Sequence, residues 1–580
     1  MPLSAIPRIE AHANLVLVDV VVTHRGRHVK GLSAGDFQVY DNGRLQPITV
    51  FEEHTAETPI AANGAGVEPR LPPGVYSDRP KYPETGVATV LLLDALNTPV
   101  TDQLFVRKQL VKLLSRIPQG APLAIFALGT QLRMVQGFDA NTNALVRAMR
   151  SRKMVRASMV RRPEYQASLE HESQDIIELG ATQSGLQALR QFEADQMSSR
   201  ADLRVKITLE ALNGLAAYLR LVPGRKNLIW VSGSFPFAFY RDDTLEAPLE
   251  PEREYAADIA WTAALMSAAR VAVYPVNADG LDGLPSTSAM ESSSDASNVM
   301  NNNALKALAN GGKARNGMSL TSSTTGGATP GTFAEPSMAE ADLKFMEQKQ
   351  SELESMQALA QDTGGQVFTG TNDIGSAVAE AMRAGADYYT VGYVPEFRRH
   401  DESFHRLKVK MMNGDHADYR SGYYADTSAV DPHAGHVQMA AAILDDGPPV
   451  SDLRFEVKMD RVDRSARVAG KGLGGEPWQV EYSIPVQQVD FERAAGGSRT
   501  AKLEMVAVAY DANGRNLKFA DERAEVRLPA KFYQREAHGA MPIQQKIVVP
   551  KGTVQVRVVV HDLQDGKIGA TQIPVLRTGG

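Results

Sequence analysis

Three polar side chains gather at the end of an apolar run. In Thr89–Thr98, TVLLLDALNT, the residues Val90 to Leu93 lead directly into Asp94, Asn97 and Thr98. A carboxylate, an amide and a hydroxyl in one short turn can cap backbone groups, hold a cation or receive a partner's polar group. Ligands of open α/β sheets bind beyond the carboxyl ends of the strands, which is where these residues fall. A second polar pair, Ser232 and Ser234, follows the apolar run NLIWV, but it lacks the flanking glycines of a nucleophile elbow.

Other chemistries leave weaker traces. The chain has 12 histidines, none in a His-Glu-x-x-His arrangement; His400 and His405 flank Asp401, and His433 and His436 stand in a linker-like stretch. Zero cysteines removes thiol catalysis, cysteine-ligated zinc, iron–sulfur clusters and disulfides. Gly64-Ala65-Gly66 and Gly472-Leu473-Gly474 do not join a strand to a helix, so neither forms a phosphate cradle.

The elements that position these residues come from a chain of 580 residues, which at roughly 100–200 residues per domain implies about three domains. A net charge of −6, from 62 basic and 68 acidic residues without a basic block, gives no footprint for nucleic acid or an anionic membrane. No window of about 18 apolar residues is present, so no membrane insertion is expected. The opening MPLSAIPRIEAHANL has no apolar core of signal-peptide length. A cysteine-free chain suits an extracellular or periplasmic protein, with a cytoplasmic location as the alternative.

Periodicity divides the chain. Residues 1–55 read as a β half-sandwich, with Asp41-Asn42-Gly43-Arg44 as a hairpin turn. Residues 56–86, rich in Pro, Gly and Ala, read as a linker. Residues 87–395 alternate strands and helices, and within them about 285–337 is a polar, low-complexity insert expected to be disordered. Residues 396–426 return to period two and are expected to complete the N-terminal sandwich. After a linker at 427–448, residues 449–580 carry seven or more strand-like runs, expected to form an immunoglobulin- or fibronectin-like sandwich. The resulting fold class is α/β, a doubly wound, mostly parallel sheet with flanking all-β sandwich domains.

Seven segments, LVLVDVVV, LSAGDFQVYDNG, LLLDALNT, PGRKNLIWVSG, VYPVNADGL, LAQDTGGQVF and YYTVGYVP, span most of residues 14–425. In this order they resemble the acidobacterial branch of von Willebrand factor type A domain proteins. The resemblance implies a Rossmann-like sheet and a metal-ion-dependent adhesion site of pattern Asp-x-Ser-x-Ser, with a later Thr and a later Asp. Asp94 and Thr98 match the first and last positions of that pattern, and Thr208 is the candidate for the later Thr. Leu96 stands in place of the first Ser, and Gly233 in place of the final Asp.

The resemblance therefore implies a degenerate site at which Asp94, Thr98 and Thr208 would hold Mg²⁺ or another divalent cation weakly, no cofactor being equally compatible. Asn97, Ser232 and Ser234 are the candidate partner contacts. The alternative local reading has Asp94 capping its turn and Thr98 satisfying backbone groups nearby. The functional expectation is a non-catalytic module for adhesion or protein–protein interaction, with a protein ligand. Two alternatives stand beside it: a metal-free scaffold binding through its β-sandwiches or insert, and a serine hydrolase using Ser232 or Ser234.

Overall fold

Four largely apolar runs form the parallel strands of one sheet. In the computed structural model, Ala88–Asp94, Leu123–Leu128 and Lys226–Ser232 are buried along their whole length, and Val271–Asn277 is buried up to its last residue. Strands covered on both faces must be apolar on both, which accounts for the unbroken runs. The structure describes residues 15–55, 71–79, 87–117, 122–151, 183–233, 255–278, 338–395, 404–424, 439, 442–462, 475–494, 497–535 and 539–575.

The sheet order is Val271–Asn277, Lys226–Ser232, Ala88–Asp94, Leu123–Leu128 and Leu132–Asp139. Its first four strands run parallel, with Leu228 beside Val90 and Leu91 beside Ile125. Leu132–Asp139 turns back antiparallel along the edge. Side chains alternate between the faces. Val90, Leu92, Leu228 and Trp230 pack against the helices Gln183–Arg220, Ala256–Ala268 and Met338–Thr363. Leu91, Leu93, Ile229 and Val231 pack against Val100–Leu114, Thr142–Met149 and Ile374–Ala384.

The N-terminal strand Val16–His24 pairs antiparallel with Tyr388–Tyr393, setting Asp19 opposite Thr390. Tyr388–Tyr393 also pairs with Val50–His54, while Phe404–Met411 pairs with Phe37–Asp41. The two small sheets share a core of Val18, Val20, Phe37, Val39, Val391, Tyr393 and Leu407. At the hairpin Asn42 and Gly43 take φ of 47° and 80°, the left-handed pair that a two-residue turn needs to match the strand twist. The C-terminal part stacks a six-stranded sheet on a four-stranded one around Phe455, Tyr482, Leu503 and Val558. Val75–Ser77, within the stretch read as a linker, is a strand of that four-stranded sheet and pairs with Glu456–Lys458.

The expected fold class needs correction. Among the described residues strand exceeds helix, and the strand pairing is mostly antiparallel rather than that of a doubly wound parallel α/β protein. Among the described residues four of the five sheets are wholly antiparallel, and parallel strand pairing is confined to the single mixed sheet. The cause is a difference in signal strength. Unbroken apolar runs stand out in a sequence and set the expected fold class, whereas half-buried strands such as Phe404–Met411 alternate with polar residues and weigh less in that reading even where they are recognised as strands. Tyr388–Tyr393 is apolar enough to be read with the α/β strands, yet its partners are the antiparallel strands at the N-terminus.

Candidate functional site

Asp94 is the last residue of the central strand, and burial there makes every hydrogen bond to it count. Its side chain is closed to solvent, as are those of Asn97, Thr98, Thr208 and Ser232. Oδ1 accepts the backbone N–H of Asn97 at 2.9 Å, closing the turn that leaves the strand. Oδ2 accepts three donors: Asn97 Nδ2 at 2.9 Å, Ser232 Oγ at 2.8 Å and the Trp230 indole N–H at 3.2 Å. Burial pushes the carboxyl above the ordinary carboxylate range, and the donors from Asn97, Ser232 and Trp230 oppose that shift.

The Asn97 amide reaches further. The same Nδ2 that donates to Asp94 donates to Thr208 Oγ1 at 2.9 Å, so one amide joins the two oxygens. Thr208 in turn donates to the carbonyl of Arg204, one turn back in its helix, at 2.8 Å. Thr98 joins from the other side: its Oγ1 accepts the N–H of Gly233 at 2.9 Å and so ties the exits of two adjacent strands together. Gln103 Nε2 donates to the carbonyls of Ala95 and Thr98, holding the turn from the following helix.

The structure thus brings Asp94, Asn97, Thr98, Thr208 and Ser232 to one strand end. Ser234 and the 285–337 insert lie outside the described residues. Thr208 sits well inside the helix Gln183–Arg220. Trp230 is the member that the sequence reading missed. Its position in a buried strand suggests core packing, and nothing in its own neighbourhood points to a carboxylate one strand away. The capping alternative matches the geometry at Asp94, while Thr98 serves the backbone of the neighbouring strand.

The donor set does not fit a divalent cation. Magnesium and calcium require several converging oxygens, usually with more than one carboxylate. Among the described residues Asp94 contributes the one carboxylate to this network, Leu96 takes a hydroxyl position, and Gly233 has no side chain to supply another. The Asn97 N–H₂ occupies the link between Asp94 and Thr208 that an ion would make. Among the described residues no group of three or more His, Asp or Glu side chains is placed to hold a metal. Ser232 donates to a carboxylate, with 1% of its surface exposed, which is a poor setting for a nucleophile.

A different concavity lies along the helix face. A cleft of about 260 Å³ is bordered by Leu132, Ile207, Ala211, Tyr218, Leu444 and Pro448, between the mixed sheet's helix and the segment leading into the C-terminal sandwich. Glu210 and Asp452 lie at its margin; burial raises both carboxyls, and Arg220 pairs with Asp452 at 3.1 Å.

No described protein family matches the sequence, and no curated protein matches it. Among solved structures, the chain is similar to an aerotolerance-related membrane protein from Bacteroides fragilis. The identity is 11% and the TM-score 0.24, over 52% of this chain and 98% of that one. A likeness this slight carries no argument about site or activity. Among the described residues no helix is long and apolar enough to cross a membrane.

Proposed function

We propose that the chain is a non-catalytic protein-interaction scaffold, related to von Willebrand factor type A domains, whose Asp94 end is a closed structural plug rather than a metal-dependent contact. One observation carries this reading: the Asn97 amide bridges Asp94 and Thr208 in a fully buried network. An adhesion ion must stay open to its partner, and a carboxylate that already accepts donors from Asn97, Ser232 and Trp230 offers no such opening.

Recognition then falls to other surfaces. The antiparallel sheets and the apolar cleft beside Tyr218 supply contact area without needing an ion. The serine hydrolase alternative is disfavoured by the burial of Ser232 and by its carboxylate acceptor. Export remains the location that best suits a cysteine-free chain of this size. The test is the metal dependence of binding. A protein captured by the immobilised chain is expected to stay bound through a chelator wash and to be held equally by Asp94→Asn. Release by the chelator, or loss of capture in the variant alone, would overturn the reading.

A further inference from the structure

Among the described residues, the opposite end of the mixed sheet holds an excess of buried and half-buried positive charge. Arg225 and Lys226 open the strand Lys226–Ser232, Arg270 precedes Val271–Asn277, and Arg420 approaches from the small β sheets. Asp19, on the strand Val16–His24, is the buried carboxylate among them. Arg270 takes that carboxylate in a two-pronged pair through Nε and a terminal nitrogen, with the Thr390 hydroxyl donating to it at 2.8 Å. One positive and one negative charge therefore cancel.

Two guanidiniums remain, and the acceptors they meet among the described residues are neutral. Arg225 donates to the Tyr274 hydroxyl at 3.0 Å and to the carbonyls of Gly364 and Asp19 at 2.8 and 3.5 Å. Arg420 donates to the carbonyls of Leu17 and Ser267 at 2.9 and 3.3 Å. The Nε–H groups of both arginines are buried and meet no acceptor among the described residues. Lys226 adds to the crowding unless it is neutral; burial lowers its ammonium to about 7, while Val222 and Gly224 accept from it. Glu52 also acts on Arg270, but its side chain is 45% exposed and water screens it.

A cavity of about 20 Å³ lies among these groups, bordered by Asp19, Arg225, Arg270, Arg420, Ser267 and Thr363. A single water needs roughly 10–15 Å³ measured this way, so the space admits one small species and excludes phosphate or a carboxylate metabolite. Arg270 and Arg420 are only partly buried, which leaves an approach from the surface. Asp19 acts on Arg225 and Arg420 as well as on Arg270, so one carboxylate is shared by three guanidiniums; positive charge in excess of its counter-charge is costly at low exposure, and buried donors with no acceptor add to that cost.

We propose that this cavity is a binding site for a halide-sized monovalent anion, chloride in ordinary media, held by the Nε–H groups of Arg225 and Arg420 between the N-terminal β strands and the mixed sheet. The anion supplies the missing counter-charge and fastens the two parts of the chain together.

The test compares chloride with gluconate at equal ionic strength on the intact chain. With chloride the melting temperature is expected to rise linearly with the logarithm of concentration, by roughly 2–5 °C per tenfold increase above Kd. Arg420→Gln is expected to lose that chloride-specific increment. Crystals grown in bromide are expected to show an anomalous peak in contact with Arg225 and Arg420, a readout that stands even if the variant does not fold. Equal stability in the two salts together with no anomalous density would overturn the proposal and leave the cavity to water.

Discussion

Asp94 shows how burial turns one side chain into the fastening of several elements. Its oxygens receive donors from its own turn through Asn97 and from the adjacent strand through Trp230 and Ser232. Removing the acceptor leaves those donors buried and unsatisfied, each costing about 1–3 kcal/mol. Asp94→Ala is therefore expected to lower stability by about 3–5 kcal/mol in urea unfolding, and Ser232→Ala by much less. Equal effects of the two substitutions would contradict the assignment of Asp94 as the hub. The local part of this site was legible in the sequence, since Asp94, Asn97 and Thr98 share one turn after an apolar strand. Trp230 and Thr208 were harder to place because their distance from Asp94 in sequence hides the contact, and only the sheet register and the helix position bring them in.

At the scale of elements, the docking of Met338–Thr363 beside Val271–Asn277 depends on close backbone approach. Thr363 Oγ1 accepts the N–H of Val273 at 3.0 Å, and Gly365 follows so tightly that a Cβ on it would lie 1.9 Å from the Val273 carbonyl oxygen. Backbone on both sides leaves no flexible group to yield. Gly365→Ala is expected to destabilise the chain by about 2–4 kcal/mol, read as a lower urea midpoint, whereas Gly26→Ala, in open space with φ of 75°, should cost about 1 kcal/mol. A neutral Gly365→Ala would show that this helix is not seated as described. The parallel strands were legible as apolar runs. Their lateral order was not, because pairing joins segments more than a hundred residues apart, such as Ala88–Asp94 with Lys226–Ser232.

At the scale of the molecule, the segment before the mixed sheet is stapled to the far end of the chain. Val75–Ser77 pairs with the C-terminal sandwich, and Asp78 Oδ1 accepts the N–H of Phe455 at 3.2 Å while its carbonyl accepts the Ser451 hydroxyl. Burial pushes the Asp78 carboxyl up to about 8. The folded chain then keeps a proton that the unfolded chain releases above pH of about 4. Stability contributed by Asp78 is thus full below that pH and falls as pH rises toward about 8. Asp78→Asn is expected to flatten this slope between pH 5 and 8 and to raise the urea midpoint at pH 8. An unchanged slope would remove Asp78 as its source. A strand of three residues inside a Pro- and Gly-rich stretch gives no periodic signal, so this staple could not be read from the sequence.

At the strand end of Asp94 an amide rather than an ion joins the carboxylate to Thr208. Calorimetric titration of Mg²⁺, Mn²⁺ and Ca²⁺ into the intact chain and into Asp94→Asn tests it most directly. No saturable heat is expected in either protein, and the same melting temperature with divalent cation or chelator. A saturable binding isotherm in the unmodified chain that disappears in Asp94→Asn would contradict it.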